Sequence, residues 1–211
     1  MIQNELNQIL DAHEAFLAGK PEGKKADFKG AVLTGLSLAG RNLRELDFRN
    51  AEMGRTDLRN SDLSGSDFRE AHFFDTRFDN ANLTGVRFNA VKGFVSHASF
   101  RNATLENANF EGLKLAALNF YGAKMKGANL SGTSSLATEP CSFYGADLSE
   151  ANLKGAKLDG CSVARATIKN ADLTDASFFG GNVSFADFSG STLTNINIAK
   201  CMKLGAKGLR G

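Results

Sequence analysis

The sequence predicts an elongated solenoid built from five-residue units, closed at one end by an amphipathic helix. Two observations carry this. Between Ala51 and Phe88 a large apolar residue returns at every fifth position: Met53, Leu58, Leu63, Phe68, Phe73, Phe78, Leu83 and Phe88. Two places before each stands a mostly small residue (Ala51, Thr56, Ser61, Ser66, Ala71, Thr76, Ala81, Val86), and the other places are mainly polar or Gly. A helix needs a period of 3.6 and a strand a period of 2, so neither template fits. Short internal repeats instead mark a solenoid whose units pack only on their neighbours. The second observation is that residues 1–19 follow a helical period.

In that stretch Ile2, Leu6, Ile9, Leu10, His13, Phe16 and Leu17 give one apolar face, and Gly19 with Pro21 supplies a stop signal. The end of a solenoid exposes core and unpaired backbone, so a helix laid over it is the expected plug. His13 reads as a packing residue, because no Ser, Cys or carboxylate constellation is spaced around it. Residues 20–25 read as a linker, 26–198 as the repeat region and 199–211 as a basic C-terminal end.

From Ala26 the units keep one register through Phe28, Leu33, Leu38, Leu43 and Phe48 to Phe88. ADFKG (26–30), SDLSG (61–65), ANLTG (81–85), ANFEG (108–112), ANLSG (128–132) and the run ADLSE, ANLKG, AKLDG (146–160) carry a motif of the form A(D/N)LxX. In this the chain resembles the pentapeptide-repeat family, over nearly everything after the linker. The resemblance implies an all-β solenoid, a right-handed quadrilateral β-helix with four pentads to a coil and about eight coils in this chain. Catalytic β-helices such as the hexapeptide acyltransferases have a six-residue period that this chain lacks, so an enzyme is not expected.

Four pentads to a coil would place residues twenty apart in columns. Phe28, Phe48, Phe68 and Phe88 form one. The period slips by two at Asn89 to Lys92 and by three between Ser131 and Cys141. If each slip is an insertion on one face, the first column continues through Phe110 and Leu130, and another runs Leu58, Phe78, Phe100, Phe120, Phe143. Phe28, Phe48, Phe68, Phe88, Phe78, Phe100, Phe110, Phe120 and Phe143 are the predicted structural core. Coils spaced like paired strands, ~4.8 Å apart, would make a rod roughly 40 Å long. Arg41 stands at a small inward place and is expected to reach the mouth of the coil beside the helix, since an unpaired buried guanidinium is very costly.

The charge excludes more than it identifies. Twenty-five basic and 23 acidic residues leave a formal +2, too balanced for a nucleic-acid or membrane surface across the whole protein. No signal-peptide succession opens the chain and no apolar run reaches the ~18 residues of a membrane span, so the expected location is the cytoplasm. Cys141, Cys161 and Cys201 fall at small inward places and are expected as buried thiols, with Cys141 and Cys161 stacked on adjacent coils within disulfide reach. His13, His72 and His97 are dispersed, and no HExxH, CxxC, GxxxxGK[ST] or GxGxxG pattern occurs. No catalytic residue, cofactor or metal is expected.

Three functions fit this reading: a scaffold presenting rigid walls to an unidentified protein partner; a DNA-gyrase-binding protein like the family's quinolone-resistance members, disfavoured by the balanced charge; and a secreted bacterial effector. Apolar residues at outward places mark the candidate partner-binding surface. Phe74 follows a centre and Phe94 precedes one, on adjacent coils of the second wall beside the first slip, with Val91, Arg77, Arg87 and Lys92 in their neighbourhood. Met202, Leu204 and Leu209, among Lys200, Lys203, Lys207 and Arg210, are expected either to fold back over the last coil or to pair two molecules there, a homodimer through the C-terminal end being the favoured of the two.

Overall fold

A computed structural model of the protein describes residues 1–89, 94–136 and 138–209. Helix α1 spans Gln3–Leu17. It starts where the Ile2 N–H donates to the Glu5 carboxylate at 2.9 Å, satisfying one of the donors a helix leaves free at its first turn. It stops at Gly19, which takes the left-handed φ of 69° and donates to the Phe16 carbonyl. The linker then folds back on the helix: Lys24 N–H donates to the Ala12 carbonyl. A Cβ at Gly23 would stand 2.2 Å from the Phe16 backbone nitrogen, so only glycine passes there.

The helix buries one row, Leu6, Leu10 and His13, with Ile9 partly covered. Ile2, Phe16 and Leu17 of the predicted face are exposed. That face is narrower than the sequence pattern implies because the mouth of a coil admits only one ridge of side chains. Polar contacts fix the rest. The Gln3 side-chain amide accepts from the Ser37 N–H at 2.8 Å and donates to the Ser37 carbonyl at 2.9 Å, taking the place of a neighbouring strand. Arg41 reaches Asp11 at 3.2 Å and Glu14 at 2.6 Å, as its position at the mouth requires.

Behind the helix the chain winds through parallel pairings twenty residues apart, from Val32↔Glu52 to Asp67↔Arg87. A centre donates its N–H to the coil ahead (Phe48 to the Asp67 carbonyl, 2.8 Å) and the residue before it donates to the coil behind (Asp67 to the Leu46 carbonyl, 3.0 Å). Each pentad ends in a tight turn needing positive φ, which Gly85 (67°) adopts without steric cost and Asn80 (58°) tolerates. Inward hydroxyls bond back to the preceding coil: Thr56 to the Leu33 carbonyl and Thr76 to that of Met53.

The separation becomes 22 at Phe74↔Ser96, Arg77↔Ser99 and Arg87↔Asn109, and 23 at Asn119↔Ser142 and Asn129↔Asn152. Two residues are therefore inserted between Arg87 and Phe94, a segment reaching outside the described residues. Three more enter between Leu136 and Ser142, where Leu136 and Glu139 pair antiparallel. Next to these insertions lies a parallel sheet of β1 (Phe94–Ser96), β2 (Lys114–Ala116) and β3 (Ser134–Ser135), in that order, with Val95↔Leu115 and Leu115↔Ser135 in register. The four pentads of a coil give four walls, whose centres begin at Phe28, Leu33, Leu38 and Leu43.

All nine predicted core phenylalanines are buried. On the first wall Phe28, Phe48, Phe68, Phe88 and Phe110 stack ring on ring, with centroids 4.7–5.3 Å apart. On the third, Phe78, Phe100, Phe120 and Phe143 stack at 4.7–5.0 Å. The two columns meet edge to face, as at Phe88–Phe100 (5.8 Å, 88°). Such pairs add about 0.5–1.5 kcal/mol each to the burial term. The repeat also runs past the predicted boundary at Ile198, since Met202 pairs with Asn182 and Lys207 with Asp187. The sequence hides this coil because Lys203 and Gly208 occupy centres that face no further packed layer among the described residues.

Candidate partner-binding surface

Outward side chains come from three places in each pentad, and polar ones dominate. Phe74 is an exception at 45% exposure. Its turn sets it on the edge between the second and third walls, where the Arg55 guanidinium lies 5.9 Å over the ring and His97 meets it edge-on at 5.7 Å. Beside it opens a cleft of about 610 Å³ lined by Arg55, Asp57, Asp75, Arg77, His97 and Ser99, among others. Arg59 grips Asp57 with Nη2–Oδ2 at 2.6 Å; this bond holds the Asp57 carboxyl below its usual range against the opposing effect of burial, with Arg77 adding to it. The cleft thus sets charges of both signs beside one aromatic edge, with Asp57 held in place by Arg59.

The predicted surface residues do not all meet. Phe74 and Arg77 lie at this cleft. Phe94 contributes a backbone that pairs with Lys114, while the residue paired with Phe74 is Ser96, so the two positions are two residues out of register. Val91 and Lys92 lie outside the described residues. Arg87 belongs elsewhere: it is on the first wall, 3.0 Å from Asp67. Its place immediately before a first-wall centre points it to that wall's own acidic column. Arg55, Asp75 and His97 were the residues missed. They occupy the turn place in three successive coils, so the twenty-residue register combined with the first slip would have aligned them.

The first-wall column is a set of ion pairs made largely within a pentad. Arg49 contacts Asp47 at 2.6 Å and Arg69 contacts Asp67 at 2.8 Å. Burial pushes the Asp67 carboxyl up, but Arg69 and Arg87 outweigh it and hold it below the usual carboxylate range. With its charges so matched, this wall has little field to offer a partner.

The thiols are free, and Cys141 and Cys161 are buried on adjacent coils. Cys161 Sγ accepts from the Cys141 N–H at 3.2 Å and lies 3.3 Å from Ser135 Oγ. Its bond with Cys161, and then burial, push the Cys141 thiol up, the state of an inert core thiol. Among the described residues no three His, Cys, Asp or Glu side chains gather as a metal site needs, and no helix is long and apolar enough to cross a membrane.

Comparison with known proteins follows the same lines. Family models for a pentapeptide repeat region and for pentapeptide repeats match residues 55–139 and residues 26–65, 141–163 and 156–195 respectively. No curated protein sequence matches significantly. Among solved structures, HetL, a pentapeptide repeat protein involved in heterocyst differentiation regulation from the cyanobacterium Nostoc sp. strain PCC 7120, is similar with a TM-score of 0.52 at 21% identity, covering 92% of each chain. A trypsin-treated form of QnrB1, a plasmid-mediated fluoroquinolone resistance protein, gives 0.45 at 21%, covering 82% of this chain and 77% of that one. Rfr23 from the cyanobacterium Cyanothece 51142 gives 0.28 at 16%, covering 83% and 90%. With the repeat models covering most of the chain and the twenty-residue ladder beneath them, this protein belongs to the pentapeptide-repeat family.

Proposed function

We propose that the protein is a non-enzymatic scaffold, a right-handed four-sided rod of about eight coils that docks a protein partner at the Phe74 edge. The observation behind this reading is an aromatic ring left 45% exposed between an arginine and a histidine, beside a cleft lined by charges of both signs. Exposed aromatic residues and arginine are what protein interfaces favour at their centres. The test is Phe74→Ser combined with Arg77→Ser, followed by retention of cellular partners alongside thermal stability. Partners lost at unchanged stability support the site; partners retained end it. The gyrase alternative is separated by assaying supercoiling in the presence of a fluoroquinolone: protection of gyrase would replace the scaffold reading.

Self-pairing belongs to the same proposal. The last described coil leaves a cleft of about 790 Å³ of mixed lining, with Leu193, Ile196, Ile198 and Leu209 beside Ser189 and Ser191, and its apolar part is what a second copy would cover.

A further inference from the structure

A different wall carries a different signature. Five successive pentads of the third wall read ASFRN, LNFYG, CSFYG, CSVAR and GNVSF (98–102, 118–122, 141–145, 161–165, 181–185). The pairings Ser99↔Asn119, Asn119↔Ser142, Ser142↔Ser162 and Ser162↔Asn182 set them one beneath another. They contain no carboxylate, although 25 residues at the average of this chain, 23 acidic in 211, would hold about three. The other walls of these coils do carry acids, among them Asp147, Asp159, Asp172 and Asp187. Of those nearest round the corner, Asp187 is held by Lys169 at 3.2 Å.

The nearest carboxylate on the same wall is Asp79, one coil above, which accepts from the Ser99 hydroxyl and from the Arg101 backbone N–H, leaving the Arg101 guanidinium free of it. Along the five acid-free pentads runs a ridge of rings and guanidinium groups. Arg101 lies 5.6 Å over the Tyr121 ring, and Tyr121 stacks on Tyr144 at 5.5 Å and 3°. Two coils below Tyr144, Phe185 lies under the Arg165 guanidinium at 5.4 Å. Neither arginine has an ion-pair partner among the described residues. Phe185 is the telling residue: it takes a turn place with φ of 60°, yet stays 51% exposed. A bulky side chain at positive φ is strained, and here burial offsets little of it, the pattern expected of a residue retained for contact.

We propose that this wall docks an extended acidic segment of a protein partner, running along the rod. Arg101 and Arg165 stand three coils apart, about 14 Å. An extended chain rises about 3.3 Å per residue, so carboxylates four residues apart would reach both. An apolar side chain midway between them, on the same face of the segment, would lie over the Tyr121–Tyr144 pair. A nucleic-acid strand fits less well. It carries a phosphate about every 3.4 Å in a duplex, far denser than two cations, and its bases need open ring faces, which Arg101 and the tyrosine stack already occupy. This face adjoins the Phe74 cleft at Ser99, but Arg101, Tyr121, Tyr144 and Arg165 do not line that cleft, so either can fail without the other.

The test uses the full chain and a fluorescein-labelled peptide of three Glu-Ser-Leu-Ser units, read by anisotropy. The same peptide with Gln for Glu, and a single-stranded oligothymidylate of equal length, serve as competing probes. The Glu peptide is expected to bind, and Arg101→Gln with Arg165→Gln to weaken it roughly tenfold or more at an unchanged melting temperature. Tyr121→Ser with Tyr144→Ser should do the same through lost apolar contact. Lys29→Gln with Lys154→Gln removes equal charge from the first wall and should leave binding intact. The proposal is overturned by no binding, by equal binding of the Gln peptide, by tighter binding of the oligonucleotide, or by equal weakening in the first-wall variant.

Discussion

Phe100 shows what one side chain does in this fold. Its ring lies between Phe78 at 4.8 Å and Phe120 at 5.0 Å, nearly parallel to both, and meets Phe88 and Phe110 edge-on. Truncation leaves a void between coils that the backbone ladder holds apart, so collapse cannot relieve it. Phe100→Ala should cost on the order of 3–5 kcal/mol, read as a lower denaturation midpoint at unchanged slope. Glu111→Ala, on an exposed turn, should leave the midpoint where it is, and equal shifts in the two variants would refute the inward assignment. These columns were legible in the sequence because large apolar residues recur without a gap and the slips only displace them. The role of Arg55 and Phe185 was not: turn places tolerate many residue types, and only coordinates show which of them lie over a ring.

At the scale of the element, α1 carries a built-in response to acid. His13 is buried, and its Nδ1 accepts from the Ala26 N–H at 3.4 Å, which places the ring proton on Nε2, an atom that makes no well-formed hydrogen bond among the described residues. Burial, then Lys25, pushes the His13 pKa down, against smaller opposing effects of Glu14 and of the Asn42 backbone. The unfolded chain therefore takes up this proton first as pH falls. The contribution of the neutral ring is complete above about pH 6.5, and declines from there to the lower folded value, where it levels off. Carboxylates such as Asp187, held down to about 2 by the Ser189 hydroxyl and N–H and then by Lys169, respond only in a lower range. Comparing midpoints at about pH 7.5 and about pH 5 should show a loss that His13→Leu reduces; a variant with the same loss would show that His13 is not its source. The existence and limits of the helix were legible from its period and from Gly19. The polar clasp was only partly so: the place of Arg41 announced a contact at the mouth, whereas nothing in the sequence assigns the Gln3 amide to Ser37.

The whole molecule behaves as a stack in which each coil is held by its two neighbours, so stability should follow position along the rod. The middle coils have ring stacks on two walls, and α1 covers the first coil. The last described coil has neither: the backbone N–H groups of Leu193 and Ile198 find no carbonyl among the described residues, and Met202 and Leu204 are 61% and 72% exposed. Amide exchange in dilute solution should then be slowest at Phe88, Phe100 and Phe110, and fastest over the pentads from Leu193 onward, since local opening there breaks the fewest buried contacts. If a second copy seats on that end, raising the protein concentration slows the terminal amides and leaves the central ones unchanged, in step with a rise in sedimentation coefficient. Terminal protection equal to the centre at every concentration would contradict the stacked account of stability. Fast terminal exchange that concentration does not alter, with a constant sedimentation coefficient, would rule out pairing through this coil.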